Sequence, residues 1–418
     1  MRMSKYYVDT DDDYGLIVGY DGLPRARRRI IRLSAELQAV DDPVDGVTDV
    51  SLTPRYLGNV GQRSYVPDDT GVGFGLLNFM SISKHYAADD IPAGQIAIPN
   101  FAGATEAGPG SATTVTAAIE FETGMFFKCT FAGAASGSIA NGGVIWTDPV
   151  PWVIPRGTRY GIRIYRTNAN GCPFTLNVQN PGIGERIEVN VGVDKTMGGT
   201  ISTADAANWF GPIGIRGLMT RPSVGIIGDS ISLGQGDTID SSGALGGIAR
   251  SLQAAGIAWT NLSVGGTTAQ SYLAANTNKT AIASTCSHVI IAHGRNDVFL
   301  VGRSDAQLRA DILSIVALLP ATTKKFIATL APDTTGTWGD LAGQTITASQ
   351  SILDANNAWR RTVPTGFVGC FDINAVLQSG STGKWRAPGY TADGVHPTAL
   401  GYAAIRDSGI ISAVNFTR

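Results

Sequence analysis

From Pro222 to the C-terminus the chain keeps one rhythm, a short apolar run followed by a helix-like stretch. The runs "SVGIIGD", "AWTNLSV", "HVIIAHG", "KKFIATLAP" and "GFVGCFDI" read as strands. Between them, "ALGGIARSLQAAG" reads as a helix ending at Gly256, and Thr267 to about Ser284 as another. Leu308, Ile312, Ile315 and Leu318 sit at helical spacing behind a Ser304-Asp305 start, and "ASQSILDANNAWRR" and "TALGYAAIRDSG" supply two further helices. Strands alternating with helices predict a parallel sheet covered on both faces. Ligand sites in such sheets lie at the carboxyl ends of the strands.

Polar residues gather at those ends. The first strand runs into "GIIGDSISLG", with Asp229, Ser230, Ser232 and Gly234. The second ends in "NLSVGG", with Asn261, Gly265 and Gly266; the third ends in "HGRND", with His293, Asn296 and Asp297. After the fifth comes "DGVHP", with Asp393 and His396. Each segment alone is a common polar turn. Together, in this order, they resemble the sequence blocks of the SGNH/GDSL hydrolase family over roughly residues 222 to 415. The resemblance implies a flavodoxin-like three-layer α/β/α fold with a parallel five-stranded sheet, and esterase, lipase, thioesterase or carbohydrate deacetylase activity. It implies Ser230 as nucleophile, Gly266 and Asn296 as oxyanion donors, and Asp393 with His396 completing a triad.

The residue chemistry agrees. A serine hydroxyl attacks poorly until a base takes its proton, and His396 is the histidine in a polar, loop-like setting. Asp393, three residues earlier, can hold Nδ1 and leave Nε2 facing Ser230. The Ser230 N–H at the helix entry is a further oxyanion donor. Asp229 and Asp297 read as loop braces, and His293 as mainly structural, with substrate contact as its alternative. Neither a metal-ligand motif nor a phosphate cradle is legible, so no metal or cofactor is expected. "GALGG" falls inside the predicted first helix of this half.

Residues 51–220 have a different texture. "TTVTAAIEF", "MFFKCTF", "VIWTDPVPWVI" and "RYGIRIYRT" are β-branched and aromatic runs divided by Gly, Pro, Asn and Ser. They predict an all-β sandwich or jelly-roll domain ahead of a catalytic domain at 221–418. In "YGIRIYRT", Tyr160, Ile162 and Ile164 fall on one face, with Arg163 and Arg166 nearer the other. Residues 1–50 read as a partly helical segment, through "LPRARRRIIRLSAELQAV". A length of 418 residues exceeds what one core usually serves. The net charge of −2 gives no pointer to nucleic acid or an anionic membrane as partner. The N-terminus shows no apolar signal-peptide run, so the export route stays unread, with extracellular, cell-surface or phage-particle use the expectation. Pairing of Cys129 with Cys172 is left open, as is the oligomeric state.

The substrate is read less directly. "TDPV" followed by "IPRGTRYGIRIY" resembles the β-sandwich that precedes the catalytic domain in some family members. Trp338, Trp385 and Tyr390 lie in loops near the predicted rim, where they either stack on sugar rings or pack the loops. The leading expectation is an O-acetyl or short-chain esterase acting on a polysaccharide or glycan. A general esterase, lysophospholipase or thioesterase is the second reading, and a non-catalytic glycan-binding protein the third.

Overall fold

The computed structural model describes residues 37–42, 47–52, 55–121, 124–151, 153–202, 208–239 and 241–417. Its contacts divide the chain into two units, Met1–Arg55 and Tyr56–Arg418. In the first, Leu37–Asp42 and Val47–Leu52 form an antiparallel pair. The helix expected over residues 23–40 is therefore strand at its end, because pairing overrides a helical periodicity that is only a weak prior. The rest of that expected helix lies outside the described residues.

Between Tyr56 and Met219, two antiparallel sheets face one core. One runs Val144–Trp146, Gly94–Pro99, Gly214–Met219, Tyr56–Asn59. The other runs Arg186–Val189, Asn78–Tyr86, Arg159–Thr167, Thr113–Glu120, Phe126–Lys128. The alternation of "YGIRIYRT" shows why: Tyr160, Ile162 and Ile164 point inward and pack with Ile96, Ile98 and Ile215 of the facing sheet. Arg163 lies on the other face, paired with Glu120 at 2.9 Å. Arg166 corrects the sequence reading. It shares the parity of the inward residues and is buried, donating to the carbonyls of Pro99 and Gly211 at 3.1 and 3.4 Å.

The parallel sheet contains β1 (Ser64–Tyr65), β2 (Ser223–Ile227), β3 (Ala258–Asn261), β4 (His288–Ile291), β5 (Lys324–Ala328) and β6 (Gly369–Phe371). Their spatial order is β1-β3-β2-β4-β5-β6, every neighbour parallel. The five strands read from the sequence are β2 to β6. The sixth, β1, comes from the N-terminal half, Ser64 opposite Thr260 and Tyr65 opposite Asn261. Successive strand residues feed opposite cores. Ile226 and Ile290 pack with α2 (Gly247–Ala254), α8 (Ile373–Leu377) and α9 (Ala399–Asp407), whereas Ile227 and Ile291 pack with α3 (Ala269–Ala274), α4 (Thr277–Ala283), α6 (Asp305–Leu318) and α7 (Gln350–Arg361). Two short helices, α1 (Ser230–Leu233) and α5 (Arg295–Phe299), follow β2 and β4.

The helix expected from Thr267 to Ser284 is two helices. Asn276 interrupts it by donating its side-chain amide to the Leu273 carbonyl at 2.8 Å. Of "GALGG", expected inside the helix, residues 243–246 precede α2 and Gly247 opens it, since Gly243 and Gly246 hold left-handed φ angles of 81° and 80°. The strand order reverses around β2, so its carboxyl end lies at the switch point where open α/β sheets bind ligands.

Candidate active site

The segment after β2 builds a sharp strand-to-helix turn. Asp229 caps α1, accepting the Ile231 N–H at 3.0 Å. Gly234, at φ 99°, closes the helix after one turn. Ser230 is thus the first helical residue, and its N–H has no acceptor within α1. Gly228 keeps this turn tight, because a Cβ there would come within 2.4 Å of Ser232 Oγ. Asn261, at the end of β3, anchors the turn from beside it by donating to the Ser232 carbonyl at 2.9 Å.

His396 reaches the same point from the loop before α9. Its Nε2 lies 2.9 Å from Ser230 Oγ, and its Nδ1 lies 2.7 Å from Asp393 Oδ2. The other oxygen of Asp393 accepts the N–H groups of Val395 and His396 at 2.8 and 2.7 Å. Burial pushes the Asp393 carboxyl up, but the hydrogen bonds from His396 and these backbone groups outweigh it and hold the acid below its ordinary value. The imidazole is 16% exposed and the carboxylate 50%, so the site opens to the surface. Behind the loop, Thr391 Oγ1 donates to the His396 carbonyl at 2.8 Å and Trp385 Nε1 to the Gly394 carbonyl at 3.1 Å.

Two more strand ends carry the other residues expected at the site. Gly266 adopts φ 72°, and a Cβ added there would meet nothing within 4 Å, so its backbone borders open space. Asn296, near the start of α5, is mostly buried and donates one amide hydrogen to the Thr267 carbonyl at 3.1 Å, which fixes its side chain. Asp297 accepts the Ala269 N–H on both oxygens, at 2.9 and 3.0 Å, and so ties α5 to α3.

Several histidines touch a serine: Ser83 lies 2.7 Å from His85 and Ser287 lies 2.8 Å from His288. Burial lowers His85 to about 3 and His288 to about 4, which keeps both neutral. Among the described residues, His396 is the histidine that also holds a carboxylate. No group of three or more His, Cys, Asp or Glu side chains there is placed to hold a metal ion. Cys129 and Cys172, whose pairing was open, are buried free thiols.

The expected substrate contacts fare unevenly. His293, read as mainly structural, is buried, its Nδ1 lacks a partner, and burial lowers it to about 3, as fits a core residue. Trp385 is also fully buried, so its ring cannot stack on a sugar; it supports the His396 loop instead. Trp338 is half-buried, bonded to Thr334 Oγ1 at 3.0 Å, and Tyr390 is half-buried beside α8 and α9. Sequence reasoning missed Gln235. It is exposed, and its Oε1 lies 3.8 Å from where a Cβ on Gly265 would sit, a point 4.0 Å from Ser230 Cβ. Its one sequence signal is its place directly after the Gly234 turn.

Asp229 has a testable cost. Burial pushes its carboxyl from 3.8 up to about 6, against the opposing Ile231 N–H and the Arg295 charge. A folded value above the unfolded one means that the fold binds this proton more tightly. The penalty for ionisation is therefore complete above about pH 6 and vanishes as pH falls through 3.8. Asp229→Asn keeps an acceptor for Ile231. It is expected to melt above the wild type at pH 8, with the gap closing by pH 4. Paired thermal melts across that range check this, and a gap independent of pH would refute it.

Residues 226–404 match the model of the GDSL-like lipase/acylhydrolase family. No curated protein sequence matches the chain significantly. Among solved structures, a G-D-S-L family lipolytic protein from Desulfitobacterium hafniense is 18% identical, with 46% of this chain and 98% of that one covered at a TM-score of 0.37. An acylhydrolase from Bacteroides fragilis is 23% identical, covering 45% and 86% at 0.34. A family two carbohydrate esterase from Clostridium thermocellum, solved with cellohexaose, is 11% identical, covering 85% and 97% at 0.30.

Proposed function

Because residues 226–404 carry a GDSL-like lipase/acylhydrolase domain, we propose that the chain is a serine esterase that removes O-acetyl or other short acyl groups from a polysaccharide or glycan. The observation that carries the proposal is the unbroken line of hydrogen bonds from Ser230 Oγ through the His396 ring to Asp393. In this reading His396 Nε2 takes the Ser230 proton as Oγ attacks the ester carbonyl. Asp393 holds the tautomer and stabilises the imidazolium. The oxyanion is met by the N–H groups of Ser230 and Gly266 and by the Asn296 amide. His396 then protonates the departing alcohol, and water repeats the sequence on the acyl-enzyme. Asp229, Asn261 and Asp297 keep these parts in register.

A surface site supports the reading of a short acyl group on a bulky alcohol. Gly266 borders open space, Asp393 is half in solvent, and Gln235 is exposed beside the nucleophile turn. An ester carried on a polymer can approach such a rim without entering a tunnel. Trp338, packed against Gly394, supplies an aromatic edge there. The test is acetate release from acetylated xylan and acetylated capsule, set beside p-nitrophenyl esters of rising chain length. The expected result is polymer deacetylation and rates that fall with acyl length. Faster turnover of long chains, with no acetate from polymer, would favour a general esterase or lysophospholipase. An inert wild-type protein would favour glycan binding without catalysis.

A further inference from the structure

We propose that the buried Arg295–Asp333 ion pair is a positioning device that fixes Asn296 relative to the loop carrying Asp393 and His396. The inference rests on the esterase reading and adds residues to it. Arg295 directly precedes Asn296 and is 3% exposed. Its Nη2 donates to Asp333 Oδ1 at 2.6 Å. Asp333 is 2% exposed and itself pinned. Its second oxygen accepts Thr347 Oγ1 at 2.5 Å, and its N–H donates to Gln350 Oε1 at 2.7 Å.

The next residue opens a small antiparallel hairpin, Thr334–Gly336 with Gln344–Ile346. Thr334 donates its N–H to the Gly394 carbonyl at 3.2 Å. Gly394 adopts φ 74°, and a Cβ there would lie 1.9 Å from the Thr334 carbonyl oxygen, so hairpin and loop touch backbone to backbone. Contacts therefore run without a gap from Asn296 through Arg295, Asp333 and Thr334 to Gly394, between Asp393 and His396. Arg295 also lines a cavity of about 20 Å³ together with Asp229, the cap of the helix that bears Ser230. The Phe299 ring lies over the guanidinium, 4.9 Å from its centroid.

Stability alone is a poor account of this pair. Two buried charges carry a heavy desolvation cost, and apolar pairs of similar volume often hold a fold as well or better. Arg295 Nε adds to the cost by lacking a partner. What an apolar pair cannot supply is direction: the ion pair fixes where Asn296 and the hairpin sit. An error of about 1 Å in a catalytic group can cost about a hundredfold in rate.

The double variant Arg295→Met with Asp333→Leu separates the two roles. It is expected to melt close to the wild type, to lose about ten- to a hundredfold in kcat on p-nitrophenyl acetate, and to keep KM within about twofold. Arg295→Lys, which retains a charged donor toward Asp333, is expected to recover part of that kcat. A double variant that melts with the wild type and keeps wild-type kcat overturns the inference and leaves the esterase reading standing. A wild-type protein without ester turnover overturns both. Should the double variant fail to fold, Asp333→Asn, assayed below its own melting temperature, carries the comparison. Lowered kcat at unchanged KM supports positioning, and wild-type kcat refutes it.

Discussion

Ser230→Ala is expected to lower kcat on p-nitrophenyl acetate by on the order of 10⁵- to 10⁶-fold, leaving the fold intact. The size follows from the arrangement. In the proposed mechanism the hydroxyl forms the acyl-enzyme, and the His396–Asp393 pair has nothing else to activate once it is gone. Residues acting as one unit are not additive, so His396→Ala is expected to cost about as much as the serine, and the double variant scarcely more. A residual rate of about 10³–10⁴ over water is expected, because the proposed oxyanion donors Gly266 and Asn296 are untouched by the substitution. The fold is expected to persist because alanine fills nearly the same buried space as Ser230. Its side chain bonds His396 alone, and the α1 turn is set by Asp229 and Gly234. Steady-state kinetics beside a thermal melt check both halves. An alanine variant with wild-type turnover would remove Ser230 from the chemistry.

What the sequence allowed to be read was whatever local pattern determines. Strands β2 to β6 were legible because each is an apolar run bounded by turn residues, and α6 and α9 because Ser304 and Thr398 cap apolar spacings. Ser230, Asp393, His396, Gly266 and Asn296 could be singled out because a parallel sheet brings its carboxyl ends to one rim and the segments there resemble, in order, the SGNH/GDSL blocks. Strand β1 was not legible. Two residues, Ser64 and Tyr65, become a strand only through pairing with Thr260 and Asn261 far along the chain. Burial of loop aromatics was equally hidden. Trp385 and Trp338 both sit in Gly- and Thr-rich loops, yet one is sealed against Gly394 and the other is half exposed. Arg295 within "HGRND" carried no signal of its own, because its partner Asp333 lies beyond the following helix and strand.

Asn296→Ala is expected to lower kcat by about 10²–10³-fold while leaving KM close to the wild type. The amide has one hydrogen committed to the Thr267 carbonyl, which fixes the plane of the group and directs its other hydrogen. A donor held in this way does not reorganise as charge develops on the substrate oxygen. Its effect therefore falls on the transition state and hardly on the bound ester. Alanine removes that donor and leaves the backbone N–H groups of Ser230 and Gly266, so the loss is partial and far smaller than at Ser230. Asn296→Asp sharpens the test. It nearly preserves volume but replaces the donor with a negative charge at the place where negative charge must form. Its kcat is expected to fall below that of the alanine variant at neutral pH, and the ratio of the two, taken at matched pH, to rise as pH is lowered. Should Asn296→Ala keep kcat within about threefold, the oxyanion is held by the two backbone donors alone. An aspartate variant more active than alanine would reject the electrostatic role outright.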